Sequence, residues 1–287
     1  MYFYVGIAVV FLTVFGGYLL AGGQLAPILK AAPAEILIIL GAAIGAALIG
    51  NSIAVFKQAF RGIGRCIKGP KWSKADYLGL IVLIGKLLNV MKKEGVVALE
   101  AHVENPGVSP IFGEYPKLAQ DHALLQFICD PLRLSIIAQG KLDPDALEEI
   151  TTTALKLHHH EAMRAPAALT TMAGALPALG IVACVLGVVK TMAAIDQPPA
   201  VLGALIGAAL VGTLLGVFFS YALVEPMANR LAQIVDDESQ VFKVVQKMLV
   251  TDLRGESQPV VIEAARACIS HSNQPTFSEV FDALRGG

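Results

Sequence analysis

The sequence predicts an all-α integral membrane protein, with four transmembrane helices, a helical cytoplasmic domain between spans 2 and 3, and a cytoplasmic C-terminal helix. Three observations predict it. Apolar residues make up 55% of the chain and charged ones 16%, against roughly a quarter charged in an ordinary soluble domain. Stretches at about 2–21, 36–56, 166–189 and 200–224 each reach the roughly 20 apolar residues that a helix needs to cross a bilayer core. None holds an Asp, Glu, Lys, Arg or His well inside it; Glu35, Lys190 and Glu225 stand at edges.

The first stretch lacks the basic start and the cleavage site of a signal peptide, so it reads as a retained helix. Orientation follows from the basic residues. Lys30 alone lies between the first two spans, whereas Lys57, Arg61, Arg65, Lys68, Lys71 and Lys74 crowd the exit of the second. The positive-inside rule then places both termini and the middle segment in the cytoplasm. Four divisions result: 1–56 carrying spans 1 and 2, a cytoplasmic helical domain at 57–165, spans 3 and 4 at 166–228, and a cytoplasmic tail at 229–287.

In the middle segment, Leu80, Ile81, Ile84, Leu87, Leu88 and Met91 recur at helical spacing, in a run that Asn105-Pro106 closes. A further helix is expected from Asp143-Pro144, with Asp143 as N-cap and Pro144 at the first helical position. In the tail, Leu231, Ile234, Val235, Phe242, Val245 and Leu249 share one side. The last span is therefore expected to continue as a helix and pack against the middle domain. The connectors AGGQLAPILKAAPAE and AAIDQPPA are Gly/Pro turns with no room for an external domain.

Cys66, Cys129, Cys184 and Cys268 form no CxxC pair, so neither disulfides nor zinc is expected. Consecutive histidines in HHHE (158–161) point in different directions on a helix, which suits a solvated face better than a metal site. No metal, cofactor or nucleic-acid partner is expected. Small residues recur at four-residue spacing as Gly41/Gly45, Ala46/Gly50, Gly203/Gly207 and Gly212/Gly216, faces that let helices approach closely in lipid. Pro177 and Pro226, taken as lying at one depth on adjacent spans, read as a hinge. Thr213, Ser220 and Cys184 are the main polar or polarizable groups inside the last two spans.

The segments TVFGGYLLAGG, AEILIILGAAIGAALIGN, LEAHVENPGVSPIFGEYP, LPALGIVACVLGVVKTM and DQPPAVLGALIGAALVGTLLGVFFSYALVEPMA occur in order along nearly the whole chain. Together they resemble the MotA family of flagellar stator subunits, within the MotA/TolQ/ExbB proton channel superfamily. The resemblance implies a non-enzymatic, multi-pass protein of the bacterial inner membrane. Its subunits form a homo-pentamer around a MotB-type partner that supplies an ion-binding aspartate, and they drive the rotor protein FliG. By position, Pro177 and Pro226 fall on the prolines that couple ion passage to cytoplasmic movement, and Thr213 on the threonine facing the partner's acid. Glu100 falls on an acidic rotor contact. Lys92 replaces the usual arginine there, keeping the charge and losing the guanidinium fork. Sodium-type relatives have threonine where this chain has Cys184, and thiol sulfur is a poor ligand for a hard cation, so protons are favoured as the coupling ion. An ExbB/TolQ-type energiser is the nearest alternative, with three spans expected of it. A solute transporter would need a midplane site on broken helices, and an intramembrane enzyme convergent catalytic groups.

Overall fold

The computed structural model describes residues 2–139 and 141–285. The regular structure among them is helical. In chain order, α1 (Tyr2–Phe11) passes through a π-helical stretch (Leu12–Gly16) into α2 (Gly17–Leu20), followed by α3 (Leu25–Gly50) and α4 (Ile53–Lys68). Next come α5 (Lys74–Lys93), α6 (Val96–Glu104), the short α7 (Pro110–Gly113) and α8 (Pro116–Ala119), and α9 (His122–Ile137). The chain closes with α10 (Pro144–Met192), α11 (Pro199–Phe218), a second π-helical stretch (Phe219–Val224), α12 (Glu225–Leu253), α13 (Gln258–Arg266) and α14 (Phe277–Arg285). Four helical segments are long and apolar enough to cross a membrane: Phe3–Leu20, Leu25–Gly50, and parts of Pro144–Met192 and Pro199–Leu253.

The chain divides into two compact units, residues 1–69 with 162–234, and 70–161 with 235–287. In the first, α3 packs on α10 and α11 through Ile39, Ala43, Leu176, Ala183, Val211 and Leu215. A second cluster gathers Ala59 and Cys66 of α4 with Ala165, Leu169, Ala228 and Leu231. The first span touches this framework through Phe11 and Phe15, whose rings meet Phe218 edge-on at 5.2 and 5.4 Å.

The second span is displaced from its expected position. Its helix starts at Leu25 and ends at Gly50, so the Gly/Pro connector shrinks to a few residues and Glu35 stands inside the helix. Pro27 sits in the first turn, where backbone N–H groups have no intrahelical acceptor in any case. Pro33 is accommodated within the helix. At the other end Asn51 is extended, and Ser52 caps a separate helix, α4, by accepting from the Val55 N–H. Helix α4 buries Ala59, Gly62 and Cys66, while Ile53, Phe60 and Ile67 remain exposed.

The second unit has the larger apolar core. Leu80, Leu83, Ile84 and Leu87 of α5 meet Leu124, Ile128 and Leu132 of α9, with Phe242, Val245 and Leu249 of α12 in the same cluster. The expected packing of the tail helix on the middle segment is observed. Ser73 and Asp76 close a reciprocal capping box at the start of α5. The expected run through Asn105 is two helices, because Gly95, at φ +90°, breaks it between Lys93 and Val96. Asp143 Oδ1 accepts from the Asp145 N–H and Pro144 opens α10, as the sequence indicates.

The histidine run does not present a uniformly solvated face. The His158 ring lies 4.3 Å from that of Phe242, and burial pushes its pKa below the ordinary value. A half-buried imidazole with a lowered pKa binds fewer protons folded than unfolded. Its stabilising contribution is therefore complete above the unfolded pKa of about 6.5 and is lost as pH falls below it. Lowering pH from 7.5 to 5.5 is expected to reduce the thermal stability of the wild-type protein more than that of His158→Phe. Equal losses in a melting series would remove His158 from the account.

Candidate functional site

Glycine packing decides how the third and fourth spans meet. A Cβ on Gly216 would lie 2.7 Å from the Leu176 carbonyl oxygen and 2.8 Å from Gly180 Cα, and one on Gly180 would lie 2.9 Å from the Gly212 carbonyl oxygen. Farther along, a Cβ on Gly187 would fall 2.6 Å from that of Ala209. The two backbones are thus in contact, as small-residue faces permit in lipid. Of the small-residue pairs read from the sequence, Gly212/Gly216 is used inside the chain. Gly41, Gly45, Gly50, Gly203 and Gly207 have open space where a Cβ would stand.

Around Gly212 three elements converge. A Cβ there would meet a Glu35 carboxyl oxygen at 2.5 Å, Ala183 Cβ at 3.1 Å and the Cys184 amide nitrogen at 3.2 Å. Thr213, the next residue, is half-buried, as is Cys184. Thr13, Thr151, Thr171 and Thr191 bond carbonyls four residues back in their own helices, the usual habit of helical hydroxyls. Glu35 is 8% exposed, and its Oε2 is the one buried side-chain oxygen or nitrogen without a hydrogen-bond partner among the described residues. By sequence, Glu35 stands at the edge of a span expected at about 36–56. The helix running through Pro33 places this carboxyl inside the span, so the spans are not free of acid.

Pro177 interrupts α10 by removing the N–H that would serve the carbonyl of Ala173. That carbonyl accepts instead from Ser220 Oγ at 2.7 Å, in a buried bond between the third and fourth spans. Together with the Gly180–Gly216 contact, this bond sets an antiparallel register. Carried onward, the register brings Pro226 near the level of Pro166, about ten residues and about 15 Å along the helix from Pro177. The clustering of Ala165 and Leu169 with Ala228 agrees. The two prolines therefore do not share a depth, since partner numbering runs in opposite directions along antiparallel helices. Pro226 lies two residues beyond the π-helical Phe219–Val224, whose capping Glu225 N–H reaches the Ser220 carbonyl.

The remaining two sequence-selected residues lie in the second unit. Glu100 is exposed on α6. Lys92, at the end of α5, donates to Asp252 Oδ1 at 2.5 Å, with side-chain exposures of 49% and 6% respectively. Lys92 thus neutralises a buried carboxylate, a partner that no spacing in the sequence signals across 160 residues. Lys92→Met is expected to cost about 1–2 kcal/mol, between the values for exposed and buried pairs, and Asp252→Asn in the same chain should recover most of it. Stability unchanged by Lys92→Met in chemical denaturation would show the pair to be idle.

These features define a helical membrane bundle with close glycine contacts, a few half-buried polar side chains and, among the described residues, one buried carboxyl oxygen without a partner. The comparisons agree. Residues 4–95 match the family model for the motility protein A N-terminal region, and residues 119–244 match that of the MotA/TolQ/ExbB proton channel family. Motility protein A of Escherichia coli K12 is 36% identical over 280 residues, covering 98% of this chain and 94% of that protein. Chemotaxis protein LafT of Vibrio parahaemolyticus is 37% identical over 277 residues, with 96% of each covered. The flagellar MotAB stator complex of Bacillus subtilis superposes with a TM-score of 0.68 at 25% identity, covering 90% of this chain and 92% of that one. The C. jejuni MotAB structure, at 16% identity, shares the fold with a TM-score of 0.74, covering 95% of this chain and 98% of that one. The chain belongs to the motility protein A (MotA) family.

Proposed function

We propose that this chain is a flagellar motor stator subunit which, with a MotB-type partner, converts ion motive force into torque on the rotor. The observation that carries the reading is the match to the motility-specific N-terminal model, joined to relatives alike over nearly their full lengths. TolQ and ExbB share only the family description matched at 119–244, which favours the motility reading over the energiser alternative.

Several copies of the chain would form a ring around the partner's helices in the bacterial inner membrane, with termini and second unit in the cytoplasm. Five copies is the number that the family resemblance implies. The open glycines Gly41, Gly45, Gly203 and Gly207 suit close packing between copies. The partner's aspartate titrates beside Thr213, and each protonation removes its charge and permits a step. Charge moving through the membrane potential supplies about 2.3 kcal/mol per 100 mV, so a step driven by one or two ions must be a sliding of packed faces rather than an unfolding. Pro177 and Pro226 act at two successive levels to transmit that movement. Glu100 and Lys92 present opposite charges to a FliG-type rotor, with Lys92 also serving Asp252. Cys184 favours protons over Na⁺ as the coupled ion.

The test is expression in stator-null cells with and without a MotB-type partner. Swimming that needs both chains and is insensitive to external Na⁺ at fixed proton-motive force is the expected result. Motility from this chain alone would refute the division of labour, and strong Na⁺ dependence would refute the ion assignment.

A further inference from the structure

We infer that Ser220 is a positioning residue for the third span at Pro177, supplying to the Ala173 carbonyl the hydrogen bond that the proline cannot make and so tying the third span to the fourth at that level. Ser220 is 1% exposed and Ala173 is fully buried. A carbonyl stripped of its helical donor at such a place has no water to turn to, and an unsatisfied backbone group is costly there. The bond is out of the ordinary for a helical hydroxyl. Thr13, Thr151, Thr171, Thr191 and Ser135 each bond the carbonyl four residues back in their own helix. Ser220 instead reaches 47 residues along the chain to the one carbonyl that Pro177 releases.

The local backbone explains the reach. Ser220 stands in the π-helical Phe219–Val224, whose wider turn is a geometry that recurs at functional sites. Directly N-terminal to it, Gly216 and Gly180 bring the two helix backbones into contact. The hydroxyl is therefore held opposite the Ala173 carbonyl, and the same π-helical stretch leads on to Glu225-Pro226. One hydrogen bond thus links the carbonyl left without a helical donor by Pro177 to the segment that leads into Pro226. Movement of the third span against the fourth at the level of Pro177 would strain that bond, which makes it a coupling element between the two spans.

This inference rests on the stator reading for its functional consequence, whereas the bond itself can be tested without it. The experiment is a double-mutant cycle on the full chain co-purified with a MotB-type partner, using Ser220→Ala, Pro177→Ala, the double variant and Ser220→Thr. In the presence of Pro177, Ser220→Ala is expected to lower the melting temperature by about 2 °C, the scale of one lost buried hydrogen bond in a chain of this size. With Pro177→Ala, the restored N–H serves the Ala173 carbonyl, and adding Ser220→Ala should lower the melting temperature little further. In motor assays, Ser220→Ala should reduce torque per stator at normal stator number, and Ser220→Thr should restore it. Equal thermal losses in both backgrounds, full torque from Ser220→Ala, or no recovery with threonine would overturn the assignment. Should Ser220→Ala fail to accumulate in the membrane, Ser220→Cys, a weak donor of similar size, carries the same comparison. A wild-type chain that drives no rotation would strike the stator reading alone, leaving the thermal cycle to decide the bond.

Discussion

Gly216→Ala is expected to abolish motility by separating the third and fourth spans. The added methyl would lie 2.7 Å from a carbonyl oxygen and 2.8 Å from a Cα of the facing backbone. Backbone on both sides cannot give way as the end of a side chain can, so relief requires the helices to move apart. Overpacking costs typically about 1–3 kcal/mol, and a backbone clash belongs at the upper end. Separation would also lengthen the Ser220–Ala173 bond and draw Gly212 away from Ala183 and Cys184. Gly64→Ala is the control, because nothing lies within 4 Å of the position its methyl would take. The measurement is membrane accumulation, recovery of the complex with a MotB-type partner, and swimming. A motile Gly216→Ala strain with normal stator number would show that the close approach at Gly216 is not needed.

Glu35→Gln is expected to separate stability from function. An acid buried in a span, with no hydrogen-bond partner for its Oε2 among the described residues, is a cost to the fold when it ionises, because a buried unpaired charge costs more than a buried neutral amide. Removing the acid should therefore raise the melting temperature of the purified complex. An ionisable side chain within a span is a functional group by default, and stabilising substitutions at such sites commonly reduce activity. Torque should accordingly fall while stator number holds. Glu35→Asp, which keeps the acid on a shorter stem, should retain part of the torque. A destabilised Glu35→Gln complex would mark the residue as structural, and unchanged torque would remove it from ion passage.

Membrane class, span number and the helical character of both units could be read in the sequence, because each depends on local composition and periodicity. The tail helix was legible for the same reason, since Phe242, Val245 and Leu249 repeat at helical spacing and all three are buried. Boundaries were harder to read. Pro33 and the glycines before it suggested a turn, yet the helix begins at Leu25, because a proline in the first turn forfeits nothing and the interior one is tolerated. Gly95 was hidden inside a periodic run, its role depending on a positive φ that composition does not announce.

The candidate site divides along the same line. Pro177, Thr213, Cys184 and Pro226 stand out in a greasy sequence as residues of unusual type, and Ser220 was visible as a polar group in the last span. Which carbonyl Ser220 serves was not, and neither was the depth of Pro226, the partner of Lys92 or the burial of Glu35. By itself the sequence determined that this is a four-span helical membrane protein of the MotA family, since apolar length, basic-residue asymmetry and ordered motifs are properties of the linear chain. Only the tertiary structure decided which groups meet. A hydrogen bond spanning 47 residues and an ion pair spanning 160 depend on how helices distant in the chain are placed in register, which close packing at a few glycines sets between the third and fourth spans and the Leu/Ile/Val core sets in the second unit.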